Sequence, residues 1–135
     1  MSDAPIVVAR GLAKKYGSTV ALDGLDASIA PGVGGLLGPN GAGKSSFLKT
    51  IHGSDRPDGG EAEVLGASVA SEGSRIRARV GYMPEKDCHF PGLSAADVVA
   101  LCGELSGLAK KDAFRRAHET LHYAGLSEAR YRPVD

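Results

Sequence analysis

The first apolar run, Pro5-Ile-Val-Val-Ala9, predicts a strand, and Thr19 to Ile29, alternating around Val20, Leu22 and Leu25, predicts a second strand with a turn. Val33-Gly-Gly-Leu-Leu37 lies between Pro31-Gly32 and Gly38-Pro39, the pattern of a short buried parallel strand weakened by its glycines. From Ala42 the period turns helical, with Phe47, Leu48 and Ile51 on one face and Gly53 placed to end the helix. After the turn Pro57-Asp-Gly-Gly60, strands are predicted at Glu61 to Leu65 and at Val80-Gly-Tyr-Met83, the latter stopped by Pro84.

Near residue 88 the texture changes. Ser94 and Asp97 have capping-box spacing ahead of an apolar stripe of Val98, Leu101, Cys102 and Leu105, which predicts a helix over about 94–106. Ala113, Phe114, Ala117, Leu121 and Ala124 form a second helical stripe closed by Gly125. The chain is therefore expected to divide into a strand-rich part, residues 1–87, and a helical part, residues 88–135.

Composition narrows the classes. The 135 residues include 19 Gly and 7 Pro, yet 42% are apolar, which suits a chain with one core or a piece of a larger one. Sixteen basic residues balance sixteen acidic ones, so no long-range field holds a polyanion and no nucleic-acid partner is expected. Met-Ser-Asp-Ala-Pro lacks the basic and apolar regions of a secretory leader, and no apolar run approaches the ~20 residues that span a bilayer. Cys88 and Cys102 form no CxxC pair, which fits a reducing compartment.

Gly38-Pro-Asn-Gly-Ala-Gly-Lys-Ser45 satisfies G-x-x-x-x-G-K-[ST], the phosphate-binding P-loop pattern, with an apolar segment before it and an amphipathic helix after it. Gly38, Gly41 and Gly43, with Asn40 between them, permit backbone conformations in which successive N–H groups face a phosphate, and the helix adds its positive end. Lys44 is expected to reach the β- and γ-phosphates, Ser45 to ligate Mg²⁺ and Ser46 to donate to the α-phosphate.

Over nearly its whole length the chain resembles the ATP-binding-cassette (ABC) ATPases. The resemblance is carried by Gly38 to Ser46, by Leu22-Asp-Gly-Leu-Asp-Ala-Ser-Ile29, by Gly59-Gly-Glu-Ala-Glu-Val-Leu-Gly66 and by Val80-Gly-Tyr-Met-Pro-Glu85. It implies an α/β fold: a P-loop NTPase core with flanking β-strands and the start of a helical subdomain, truncated at the C-terminus. It also implies ATP and Mg²⁺ as cofactors, transmembrane permease subunits and a second ATPase subunit as partners, and a cytoplasmic place at the inner face of the cell membrane. In that family an aromatic residue after the first strand stacks on adenine, and Tyr16 in Lys15-Tyr16-Gly17 matches it. The family's Q-loop glutamine, which touches Mg²⁺ and the attacking water, is replaced here by Glu85. A carboxylate still ligates a hard cation but donates no hydrogen bond, so a metal role is retained and an identical water-positioning role is not.

The family's Leu-Ser-Gly-Gly-Gln signature, the Walker B acids and the switch histidine have no match; Leu105-Ser-Gly-Leu108 and Val20-Ala-Leu-Asp23 are partial echoes in the wrong places. The chain accordingly reads as the N-terminal portion of an ABC transporter ATPase whose sheet continues beyond Asp135. It is expected to bind MgATP and turn it over poorly by itself. An inactive nucleotide-binding or partner-docking module is the alternative, and no Asn-Lys-x-Asp guanine reader is present. A more distant alternative is a zinc hydrolase, because His118-Glu119-Thr-Leu-His122 is H-E-x-x-H and Gly125 and Glu128 extend it. His118 and His122, however, fall beyond the edge of the apolar stripe, and His52 and His89 carry no motif.

Overall fold

The computed structural model describes residues 4–85 and 90–134. The chain divides into two compact units, Met1–Met83 and Pro84–Asp135. The boundary expected between residues 87 and 88, with Cys88 and His89, lies outside the described residues.

In the first unit β1 (Val7–Tyr16), β2 (Thr19–Ile29), β3 (Gly59–Val64) and β4 (Ala67–Ser68) form one antiparallel sheet in the order β2-β1-β3-β4. β1 is longer than the apolar run that announced it, because a bulge resets its alternation. Ala9 faces Ala27 and Leu12 faces Leu25, so two residues of β1 oppose one of β2. Gly11 takes φ 57° there, and its freed N–H donates to Asp26 Oδ1 at 2.7 Å. Val7, Ala9 and Leu12 thereby all reach the core, with Leu22, Ala62 and Val64.

Against this sheet lies α1 (Lys44–Ile51). Phe47 and Thr50 are its buried residues, and the Thr50 hydroxyl donates to Ser46 O at 2.8 Å. The buried face is thus turned from the expected one: Leu48 is exposed and Ile51 only half-buried. The helix ends in a Schellman pair, Gly53 N–H to Thr50 O and Ser54 N–H to Lys49 O, with Gly53 at φ 74°. The short α2 (Gly73–Arg77), which the periodicity does not announce, is anchored by buried Ile76.

Two expected strands are not formed. Val33–Leu37 and Val80–Met83 carry no ladder hydrogen bonds, and Val33, Leu37 and Met83 are almost fully exposed. An apolar run becomes a strand only when a neighbour supplies partners for its backbone groups, and neither run pairs with a strand of the described sheet.

The second unit packs α3 (Ala95–Leu105) on α4 (Lys110–Tyr123), followed by a 3₁₀ turn, Glu128–Tyr131. The Ser94–Asp97 capping box forms in both directions. The buried residues of α3 are Ala96 and Ala100, in place of the expected stripe; Leu105 is 77% exposed. Small residues decide this, since a Cβ on Gly103 would stand 3.1 Å from Ala113 Cβ, so the helices approach along Ala96, Ala100 and Gly103. On α4, Ala113, Ala117 and Leu121 are buried as expected, while Ala124 is exposed. Among the described residues no helix is long and apolar enough to cross a membrane.

Candidate functional site

The segment after Val33–Leu37 turns through Gly38, Gly41 and Gly43, whose φ angles of 155°, 86° and 83° all lie where side chains are disfavoured. Gly43 is the N-cap of α1 and has no side chain to offer its orphan N–H groups; no acidic residue occupies the first turn either. The positive end of α1 is therefore left without a counter-group, as an anion site requires. The Lys44 ammonium folds over the loop and donates to Gly38 O and Pro39 O, both at 2.7 Å. Ser45 is exposed and Ser46 half-buried one position further on. A cleft of about 440 Å³ opens beside the loop, lined by Ala42, Gly43 and Lys44, by Leu36 and Leu37, and by β2 from Ala21 to Asp26.

β2 fixes the loop sterically. A methyl group on Gly43 would meet Ala21 O at 2.3 Å and the Leu22 side chain at 3.1 Å, so the helix start is seated directly on strand backbone. The glycine spacing announces the loop but not this second contact, nor the carboxylate of Asp23, which lines the same cleft.

Tyr16 ends β1 and is 44% exposed. Its hydroxyl donates to Asp55 Oδ2, just past the end of α1, and the Lys14 ammonium lies over its ring at 5.4 Å from the centroid. The bond to the Asp55 carboxylate raises the phenol pKa above its ordinary value, and burial adds to this; the nearby Ser46 hydroxyl pulls the other way. Of the residues singled out from the sequence, Gly38, Asn40, Gly41, Gly43, Lys44, Ser45, Ser46 and Tyr16 belong to the first unit. Glu85 belongs to the second, where it is exposed.

The donor set fits a nucleoside triphosphate: a glycine cradle that side chains would fill, an uncapped helix end, an ammonium over the loop and an adjacent hydroxyl. A sequence profile described as ABC transporter matches residues 22–135. The chain belongs to the ABC transporter family. It is 40% identical over 123 residues to the daunorubicin/doxorubicin resistance ATP-binding protein DrrA of Streptomyces peucetius, a match covering 90% of this chain and 37% of that protein. It is 34% identical over 131 residues to the Nod factor export ATP-binding protein I of Ralstonia nicotianae, covering 96% of this chain and 41% of that one. The chain therefore spans about two fifths of the length of these relatives. A solved ATP-binding cassette, a dimer in a post-hydrolysis state bound to ADP and Pi, matches with a TM-score of 0.72 at 23% identity, over 93% of this chain and 60% of that one. The fold is accordingly that of the P-loop ABC ATPases.

In the second unit the H-E-x-x-H residues have other partners. Arg130 donates to His118 O at 3.3 Å and reaches His118 Nδ1 at 3.4 Å, and the His118 ring lies near the rings of Phe114 and Tyr131. The Glu119 carboxylate is paired with Arg115 and Arg116.

Proposed function

We propose that the chain is an ATP-binding portion of an ABC transporter ATPase and that it binds MgATP at the loop from Gly38 to Ser46. The uncapped N-terminus of α1, with Lys44 poised over its glycine loop, is the observation that carries this reading. In it the loop amides and the helix end hold the phosphates, with Gly38, Asn40, Gly41 and Gly43 forming the cradle. Lys44 exchanges its two carbonyl partners for β- and γ-phosphate oxygens, a favourable trade because it adds the attraction of opposite charges to the hydrogen bonds. Ser45 would hold the Mg²⁺, which would supply charge neutralisation at the phosphates. Ser46 donates to the α-phosphate, and Tyr16 offers its ring to adenine.

In the whole protein we place ATP hydrolysis between two such subunits, coupled to transport through transmembrane permease subunits at the cytoplasmic face of the membrane. The names of the relatives and the dimeric form of the solved cassette favour this arrangement. By itself the chain supplies cradle, ammonium and one Mg²⁺ hydroxyl, so it binds nucleotide and hydrolyses it slowly. Calorimetric titration with MgATP tests the site: saturable binding at one nucleotide per chain is expected, and the absence of any binding heat with folded protein overturns it.

A further inference from the structure

We infer that Asp55 is a positioning residue that sets the base-binding face of Tyr16, a role that rests on the proposed MgATP site. β1 ends in Lys14-Lys15-Tyr16, and the segment that follows α1 takes hold of all three. Lys14 Nζ donates to Arg56 O at 2.7 Å and pairs with Asp58 at 3.2 Å; the Lys15 N–H donates to Asp58 Oδ2 at 2.7 Å; the Tyr16 hydroxyl donates to Asp55. Lys14, its side chain only 13% exposed, lies over the Tyr16 ring. The ring is held at its hydroxyl edge and accompanied by a cation on one face, while the residue as a whole stays 44% exposed. A tyrosine at a strand end without such a tether samples several rotamers, and a base that stacks on it bears the cost of ordering it. Asp55 removes that cost in advance.

Titrating the 135-residue chain with MgATP and, separately, with magnesium tripolyphosphate distinguishes base binding from phosphate binding. Asp55→Ala is expected to weaken MgATP roughly fivefold, the size of one hydrogen bond, and to leave tripolyphosphate unchanged. Asp55→Asn, whose amide oxygen still accepts from the phenol, is expected to restore affinity to within about twofold. Tyr16→Phe keeps the ring and loses the tether; it should match Asp55→Ala, and the double variant should lose no more than either single one. Tyr16→Ala removes the platform itself and should weaken MgATP about tenfold or more. If Tyr16→Ala weakens MgATP while Asp55→Ala does not, or if Asp55→Ala weakens both ligands alike, the positioning role falls and the platform stands. If Tyr16→Ala leaves MgATP untouched, the platform falls and takes this role with it.

Discussion

The α-carbon of Gly43 rests on the Ala21 carbonyl of β2, so closely that a methyl group there would stand 2.3 Å from the oxygen. The residue is also at φ 83°, where a side chain costs about 1–2 kcal/mol before any clash. Gly43→Ala is therefore expected to lower the melting temperature and to weaken MgATP more than about tenfold, because α1 must shift off the strand. Gly41 shares the strain at φ 86° but would meet nothing within 4 Å, so Gly41→Ala should cost only about 1 kcal/mol. Thermal melts of both variants, with and without MgATP, check the ordering; equal losses would show that the contact with Ala21 contributes nothing.

Lys44→Ala removes an ammonium whose partners in the structure are two carbonyls of an exposed loop. Solvent screens an exposed ammonium of this kind and leaves it little net contribution, so the variant should fold with nearly unchanged melting temperature. Its MgATP affinity should become unmeasurable. A folded Lys44→Ala chain that binds MgATP as the parent does would remove the loop from the site.

The parts of the molecule written locally were legible. The glycine loop, the Gly53 and Gly125 helix ends and the Ser94–Asp97 box each depend on residues a few positions apart, and each forms. What the sequence hid depends on distant partners. The bulge at Gly11 is completed by Asp26 from the neighbouring strand, so the strand outran its apolar run. The buried face of α3 follows its alanines and Gly103 because α4 comes close, which hydrophobicity alone misranks in favour of Leu105. Asp55 has no signal at all, since it meets Tyr16 across a separation of 39 residues. The apolar segments at Val33–Leu37 and Val80–Met83 show the converse: a strand pattern states what a segment can do, and the neighbours decide whether it does.

The Asp58 carboxylate accepts the Lys15 N–H and pairs with Lys14, which holds its pKa below the ordinary value; the backbone bond is the larger cause. Glu72 is lowered likewise, first by Ser68 N–H and then by Arg75. A carboxyl with a lowered folded-state pKa stabilises above its unfolded value and loses that contribution as pH falls through the folded one. Stability should therefore be level near neutral pH and decline below about pH 4. Asp58→Asn should be less stable at pH 7 and should decline less steeply in acid. Denaturant unfolding from pH 7 to pH 3 measures both slopes, and parallel curves for parent and variant would exclude Asp58 as a contributor.

His118 and His122 sit four residues apart on α4, the spacing of a zinc helix. Arg130 reaches toward His118 Nδ1 at 3.4 Å, and Glu119 is paired with two arginines. Metal binding would have to displace these cations, and among the described residues no group of three or more His, Cys, Asp or Glu is arranged to hold an ion. Purified chain dialysed without chelator is expected to contain far less than one zinc per molecule and to cleave no peptide. One zinc per chain, lost in His118→Ala, would reverse the ranking of the two motifs.

Turnover separates a binding module from an ATPase. The residues proposed for the nucleotide would hold charge and base: Lys44, Ser45 and Ser46 on α1, Tyr16 at the end of β1. Hydrolysis also needs a group that orients water in line with the leaving phosphate, and positioning of this kind supplies much of the rate. Two carboxylates of β2 line the cleft beside the loop. Asp26 already accepts the Gly11 N–H, whereas Asp23 is exposed beside Lys44. Phosphate release by the 135-residue chain is accordingly expected near the uncatalysed background, even while saturating MgATP adds RT ln(1 + [L]/Kd) to the stability of the folded state and so raises its melting temperature. The two signals must be read on the same preparation, because a rise in melting temperature certifies an intact site when no phosphate appears. Brisk release that disappears in Lys44→Ala would show that the chain orients water from within. Asp23→Asn would then decide whether β2 supplies the acid: loss of release with MgATP affinity retained identifies Asp23, and unchanged release excludes it.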